Sequence, residues 1–459
     1  MRAAHDVREP DAAFERAILA AIFVLGFGLR FLFADGGFIG DDAWYFYLAR
    51  DFGRELGVQA EQPWFHLANR PLYYAIFHLG SEFGLLGFRL LGTFVGALIP
   101  CLAYATARAL GATRASAAIA LLCLCLHRFH LQYSALGFPD LLASAFALAA
   151  CLAAAQRRAT ATLLFSIASV ASKESFVLVP FIATFLRWEP RERRRPDALA
   201  LLTCLLPTAY IAIVSAISLR TPGLRMQGWS QTPFSLHHAR AMLIGPELWP
   251  LLAWLVYRRQ FRAVALWIAL PLFYLAWNTL LGRGMAPWYA IGPASLASVA
   301  VALAFDSLAL ACRSRSRAMR YLVLGAALAC LAPMPLLGLL RVRAQWVQLH
   351  GHVPHPDPDS DVQAAIERSG SERVLLVDCF WAYRYSHLRS RRTPAEARWW
   401  YSAADSGSVL EAAQRADVVV VCRKGEDAPI RAQLERIHSR ILLENERFSV
   451  LEVPSAAPP

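Results

Sequence analysis

The sequence predicts an α-helical polytopic membrane protein with about eleven transmembrane helices and a small C-terminal α/β domain on the outer face. Of its 459 residues, 57% are hydrophobic and only 17% are charged, too few charges to cover soluble domains of this length. Long apolar stretches recur throughout residues 1–341, and the composition changes abruptly after them. The first part of the chain is therefore expected to lie in a membrane and the last part outside it.

Each apolar stretch is long enough to form a membrane helix or half of a broken one, at a rise of about 1.5 Å per residue. The stretches fall near residues 16–34, 88–108, 114–133, 139–156, 160–172, 174–188, 198–219, 243–257, 262–281, 287–311 and 321–340. The run from 160 to 188 is divided at Lys173-Glu174, because two charges inside one unbroken span would be costly. We expect two short helices to meet there at the outer surface.

Arginines in the loops predict the orientation, since short cytoplasmic loops carry an excess of positive charge. One set of alternate loops holds Arg108, Arg114, Arg157, Arg158, Arg187, Arg191, Arg193, Arg194, Arg195, Arg258, Arg259, Arg262, Arg313, Arg315, Arg317 and Arg320. The other set holds few cations. This pattern places the N-terminus in the cytoplasm of a multi-pass inner (plasma) membrane protein, and it explains the net charge of +12 without any nucleic-acid partner.

Two segments depart from the pattern of short loops. Residues 35–87 form a long first outer loop with aromatic clusters, which we interpret as amphipathic helices lying in the membrane interface. Residues 342–360 form a linker, and residues 361–459 alternate short β runs with helical ones. Residues 373–378 and 417–421 are predicted strands, and residues 441–451 a closing hairpin, as expected for a small α/β domain.

The most informative chemical feature is the acidic pair Asp41-Asp42, placed directly after the first span on the outer side. No ATP or nucleotide sugar is available there, and the chain has no Walker loop, so activated groups must arrive on lipids. A carboxylate can take the proton of an acceptor, and a departing phosphate needs cations but no general acid. The alternative interpretation is a solvated loop pair or a helix N-cap.

Further charged residues are predicted on the same side. Asp140 begins a span, where it could equally favour the helix dipole. Lys173-Glu174 could contact a donor phosphate or simply neutralise each other. Additional cations are Arg128, His130 and Arg283, each of which could instead extend to the interface. The histidines lack metal-ligand spacing with carboxylates, so no metal site or other cofactor is predicted, although a divalent metal requirement is left open.

The order of these features resembles the family 39-type glycosyltransferases, which are GT-C fold enzymes and include protein O-mannosyltransferases and the aminoarabinose transferase of lipid A. The resemblance is carried by Asp41-Asp42, by Asn69-Arg70-Pro71-Leu72 and by Arg89-Leu90 at the start of the second span. It implies that Asp41 activates the acceptor, with Asp42 in the second acidic position. It also implies a donor contact for Arg70, where the basic residue of the family motif is shifted by one, and family positions for Asp140 and Lys173.

The resulting hypothesis is an inverting glycosyltransferase that moves a hexose or pentose from a polyprenyl-phosphate or polyprenyl-diphosphate donor to a lipid, glycan or protein acceptor. A transporter or flippase of lipid-linked saccharides is the first alternative, although it would more often show internal repeats and charges at the membrane midplane. A sensor whose outer domain binds a ligand is the second, and it would leave the acidic pair unexplained.

Overall fold

The structure of the chain is a computed structural model. It describes residues 9–34, 45–46, 49–50, 52, 70–187, 198–220, 235–281, 287–350, 364–366, 368–370, 374–377, 413, 416–422, 440–444 and 448–453. The chain divides into two compact units, a helical one that ends at His350 and a smaller one that contains the sheet.

In the part of the chain that the structure describes, the helical unit consists mainly of α-helices. They are α1 (Glu9–Phe31), α2 (Pro71–Ser81), α3 (Gly84–Ala109), α4 (Arg114–Cys125), α5 (Arg128–Ala135), α6 (Pro139–Ala155), α7 (Ala159–Ser172), α8 (Val179–Arg187), α9 (Ala198–Arg220), α10 (Leu236–Ala241), α11 (Trp249–Tyr257), α12 (Phe261–Leu281), α13 (Ile291–Ala311), α14 (Arg317–Leu331) and α15 (Pro333–His350). Every apolar stretch of the sequence coincides with one of these helices or with a bent pair of them.

The length and composition of these helices identify the chain as a membrane protein. Within the described ranges, α3 and the segment Trp288–Ala311 are long and apolar enough to cross a membrane, and four spans result if each of two bent pairs counts as one. Several other apolar helices, such as α6 and α7, are shorter. The total of eleven spans stays a prediction.

Helix α13 lies at the centre of the helical unit, where it packs against α3, α4, α6 and α12. Its sequence is rich in alanine and serine, and nearly all of its side chains are buried. Small side chains let neighbouring backbones approach closely, which is how helices associate where hydrophobic surface alone does not drive them together.

Helices α3 and α5 also approach closely, at Gly96. A Cβ atom on Gly96 would lie 2.6 Å from Ser134 Oγ, whereas a Cβ atom on Gly28 in α1 would meet no atom within 4 Å. We expect Gly96→Ala to lower the free energy of unfolding by about 1–3 kcal/mol through overpacking. The matched control Gly28→Ala should be neutral or stabilising, because alanine favours a helix by up to about 1 kcal/mol over glycine. Thermal unfolding in detergent measures both, and equal midpoints would contradict the close contact.

The predicted third span, residues 114–133, is broken rather than continuous. Helices α4 and α5 meet at an angle of 57°. The ring of His127 caps α5 by accepting a hydrogen bond from the His130 backbone N–H at 3.2 Å, and its Nε2 lies 2.8 Å from the Ala241 carbonyl oxygen. A histidine that satisfies the backbone at the break lets the helix end inside an apolar run.

The predicted interruption at Lys173-Glu174 is confirmed. Helix α7 ends at Ser172, Glu174–Phe176 form a single 3₁₀ turn, and α8 begins at Val179. The two charges therefore stand at a helix junction.

The aromatic residues before the second span differ from the expectation of an interfacial helix. Helix α2 is present, but Tyr73, Tyr74 and Phe77 are fully buried inside the protein. The Tyr73 hydroxyl donates a hydrogen bond to the Gly137 carbonyl oxygen at 2.5 Å. The apolar face of α2 is therefore buried against α3 and α7 and does not depend on lipid for burial.

The end of the helical unit also differs in detail from the prediction. Helix α15 continues to His350, so the first part of the predicted linker, residues 342–350, is helical. The unit boundary follows this helix.

The smaller unit contains a four-stranded sheet of β1 (Val374–Val377), β2 (Val418–Cys422), β3 (Arg440–Glu444) and β4 (Phe448–Glu452). The strand order is β1-β2-β4-β3. Strands β1 and β2 are parallel, and β4 is antiparallel to both β2 and β3. The predicted buried run at Val418–Val421 and the predicted closing hairpin are confirmed.

Candidate active site

Arg70 and Glu174 form a buried ion pair although they are 104 residues apart in the chain. Arg70 precedes α2, and its Nε and Nη2 donate hydrogen bonds to the two carboxylate oxygens of Glu174, each at 2.8 Å. This is the bidentate geometry that gives an arginine–carboxylate pair its strength. The Arg70 side chain is 8% exposed and that of Glu174 is 19% exposed, so Arg70 is buried and Glu174 is partly buried.

The Arg70 guanidinium controls the ionisation of Glu174. Burial by itself raises the pKa of a carboxyl group, but the charge and hydrogen bonds of Arg70 outweigh it and lower the pKa of Glu174 from 4.5 to about 2. Glu174 is therefore ionised at neutral pH.

This shift predicts the dependence of stability on pH. A carboxyl group with a lowered pKa stabilises the folded state above pH 4.5, its unfolded value, and this contribution disappears as the pH falls toward about 2. The stability advantage of the wild type over Glu174→Gln, on the order of 3 kcal/mol, should be constant from pH 7 to 5 and shrink below pH 4.5. Thermal unfolding in detergent across this range tests it. The exposed Glu82 provides a control as Glu82→Gln, and an unchanged advantage at pH 3 would contradict the lowered pKa.

Lys173 and Asp140 form a second pair next to the first. The Lys173 ammonium donates to Asp140 Oδ2, and their side chains are 3% and 0% exposed. The Tyr274 hydroxyl donates to Asp140 Oδ1 at 3.3 Å and lies 2.8 Å from Ser175 Oγ. The Lys173 ammonium also lies over the Tyr289 ring, 4.7 Å from its centroid.

These contacts argue against one interpretation of Lys173-Glu174, mutual neutralisation, while the donor-phosphate contact stays a prediction. The two residues do not neutralise each other, because each is bound to a residue from another part of the chain. Arg70, Lys173, Asp140 and Glu174 together form one four-charge cluster at the ends of α2, α6 and α7, and its formal charges sum to zero. A second polar cluster, in which Glu15 binds Arg108 at 3.1 Å and Arg114 at 3.0 Å, lies where α1 begins and α3 ends.

No protein-family model and no characterised protein sequence matches the chain. Among solved structures, the apo oligosaccharyltransferase of Archaeoglobus fulgidus is similar with a TM-score of 0.51 and 12% identity, over 89% of this chain and 69% of that one. The archaeal oligosaccharyltransferase AglB from the same organism, in complex with an inhibitory peptide and a dolichol-phosphate, is similar with a TM-score of 0.50 and 11% identity, over 90% and 70%. The chain has a GT-C fold.

In this GT-C fold, the structure brings four of the predicted site residues together, namely Arg70, Asp140, Lys173 and Glu174. It places Arg128 elsewhere, at the start of α5, with Nη2 2.6 Å from Nε2 of His237. His130 is buried between α5 and α13, 3.2 Å from Ser295 Oγ. Asp41, Asp42 and Arg283 lie outside the described residues.

Four polar side chains around the cluster were missed by the sequence analysis: Tyr45, Ser175, Tyr274 and Tyr289. Tyr45 accepts a hydrogen bond from Arg70 Nη1 at 3.1 Å, and the rings of Tyr274 and Tyr289 stack at 5.5 Å. The only available signal was a tyrosine within an apolar run, which is also common in helix packing. None of these side chains is a strong metal ligand, and no group of three His, Cys, Asp or Glu residues gathers among the described residues.

Proposed function

We propose that this GT-C protein is an inverting glycosyltransferase of the family 39 type. It transfers a sugar from a polyprenyl-phosphate or polyprenyl-diphosphate donor to a hydroxyl or amine acceptor at the outer face of the inner membrane. The fold and the apolar helices support a membrane enzyme of this kind, and the distribution of loop arginines supports the orientation with a cytoplasmic N-terminus.

One observation carries the proposal: Tyr45 is bound to the four-charge cluster through Arg70. Tyr45 follows Asp42 by three residues. Covalent geometry limits the Cα distance from Tyr45 to at most about 11 Å for Asp42, three residues away, and about 14 Å for Asp41, four residues away. Only four residues of chain therefore separate the candidate base Asp41 from a tyrosine that contacts the four-charge cluster.

The chemistry that we propose needs one base and one leaving group. The Asp41 carboxylate accepts the proton of the acceptor, whose oxygen or nitrogen forms a bond to the anomeric carbon on the face opposite the phosphate. The bond between the anomeric carbon and the phosphate oxygen breaks, and its electron pair leaves on the phosphate. The configuration at the anomeric carbon is inverted, and Asp42 supports Asp41 from the second acidic position.

The four-charge cluster is proposed to hold the polar end of the donor. Arg70 and Lys173 have N–H donors and Asp140 and Glu174 have oxygen acceptors, a combination suited to the hydroxyl groups of a sugar. Because each charge is paired and buried, these groups are fixed in position before a substrate binds. The Archaeoglobus structure that contains an inhibitory peptide and a dolichol-phosphate supports a lipid-linked donor and a peptide or protein acceptor.

The decisive experiment is a transfer assay with purified protein in detergent. Radiolabelled polyprenyl-phosphate sugars are mixed with lipid, glycan and peptide acceptors, and labelled product is measured. Detergent removes the two compartments that a transporter needs, so product formation supports an enzyme. Absence of product with every acceptor, combined with translocation of labelled lipid in proteoliposomes, would instead establish the transporter alternative.

A further inference from the structure

A cationic site lies where α4 and α5 meet, and it is built around Arg128. The guanidinium of Arg128 lies over the Phe129 ring, 4.3 Å from its centroid, and its Nη2 lies 2.6 Å from Nε2 of His237. Stacking on one face and a hydrogen bond at one nitrogen hold the planar group in a defined orientation. These two contacts leave the other N–H groups of the guanidinium available to a ligand.

Arg341 of α15 brings a second positive charge to the same place. Helix α15 packs against α5 through Val342, which contacts the Leu131 and Ala135 cluster. One turn earlier, α15 passes so close to the break that a Cβ atom on Gly338 would collide with the Leu126 carbonyl oxygen. By helical spacing, Arg341 shares with Gly338 and Val342 the side of α15 that packs against the break next to Arg128.

Neither charge is neutralised by a carboxylate within the described part of the chain. Arg70, Lys173 and Arg108 all have carboxylate partners there, whereas no ion pair or further contact accounts for Arg128 or Arg341. The Nε of Arg341 is buried and has no hydrogen-bond partner among the described residues. Two like charges held side by side are unfavourable unless an anion lies between them.

We propose that Arg128 and Arg341 bind the phosphate of the polyprenyl carrier. The inference rests on the proposed function for the identity of the lipid. It deepens that function by assigning the phosphate to cations without a carboxylate partner among the described residues, and the sugar to the neutral four-charge cluster. Each guanidinium group can donate two parallel hydrogen bonds to phosphate oxygens. A lysine ammonium group does not have this planar geometry. Such a site would hold the donor before transfer and the released carrier after it.

Binding is measured with the full-length purified protein in detergent, by the displacement of a fluorescent polyprenyl phosphate. The competitors are unlabelled polyprenyl phosphate, the corresponding polyprenol, phosphatidylglycerol and inorganic phosphate. The variants are Arg128→Gln, Arg341→Gln and their combination, with Arg128→Lys to keep the charge while removing the planar fork. Arg315→Gln is the matched control. It removes the same charge, but from an exposed residue in the turn before α14.

We expect each glutamine variant to weaken binding of polyprenyl phosphate by about tenfold or more, as for the loss of a charge-assisted hydrogen bond. Arg128→Lys should weaken it less, and Arg315→Gln should not change it. Polyprenol and inorganic phosphate should compete poorly, since each lacks half of the ligand. Monodisperse variants that bind like the wild type, or equal competition by phosphatidylglycerol, would overturn the inference.

The binding assay and the transfer assay together separate this inference from the proposed function. If the wild type transfers sugar and binds the carrier but the arginine variants are unchanged, the phosphate site is wrong and the glycosyltransferase proposal stands. If the wild type binds no polyprenyl phosphate and transfers no sugar, both are wrong.

Discussion

Asp41→Asn is expected to abolish glycosyl transfer while the protein still folds and inserts. An asparagine side chain has nearly the same shape as aspartate but cannot accept the acceptor's proton. The loss of a general base lowers the rate by about 10²–10⁴-fold. The measurement is the initial rate of product formation in detergent, with donor and acceptor concentrations held above those that saturate the wild type.

The control for this prediction is Asp35→Asn, which removes an acid six residues earlier in the same predicted loop. It should retain nearly full activity. Asp42→Asn should have a smaller effect than Asp41→Asn, because Asp42 is assigned a supporting role. Full activity of a well-folded Asp41→Asn protein would refute the assignment of Asp41 as the base.

Lys173→Met is expected to cause the largest loss of stability. It would leave the Asp140 carboxylate, which is 0% exposed, with the Tyr274 hydroxyl in place of a charged partner. Removing one member of a buried ion pair costs about 3–5 kcal/mol, mostly because the remaining charge stays desolvated. Chemical or thermal unfolding of the purified protein in detergent measures this loss.

The chain offers a close control, since its only other lysine is Lys424. Lys424→Met should leave the stability of the helical unit unchanged. The double variant Asp140→Asn/Lys173→Met should recover most of the loss, because replacing both members of a buried pair with neutral groups removes the desolvated charge. If the double variant were as unstable as Lys173→Met alone, the two side chains would not form an energetically coupled pair.

Activity of the double variant then separates a positioning role from a purely structural one. If Lys173 and Asp140 only hold α6 and α7 together, a stable double variant should transfer sugar normally. If they contact the donor as proposed, transfer should stay impaired although stability is restored, and the change should appear in the donor concentration needed for half-maximal rate.

Much of the fold could be predicted from the sequence because it depends on local composition. The apolar stretches mark the helices, the charges at Lys173-Glu174 mark a junction, and the valine run at 418–421 marks a buried strand. The break at His127 was missed, since a polar residue that caps a helix inside an apolar run looks like part of that run. The burial of Tyr73 and Tyr74 was missed because an aromatic, amphipathic segment has the same composition whether it faces lipid or protein.

The candidate site was only partly accessible to the same reasoning. The sequence singled out Lys173 and Glu174 as charges that interrupt an apolar run at an energetic cost. It marked Asp140 as an acid at the start of a span, and Arg70 only through the family resemblance. Only the tertiary structure decided that Lys173 binds Asp140, 33 residues away, and that Glu174 binds Arg70, 104 residues away. The reason is physical: helix positions follow from neighbouring residues along the chain, whereas charge pairing follows from which helix ends the packing of small side chains brings together.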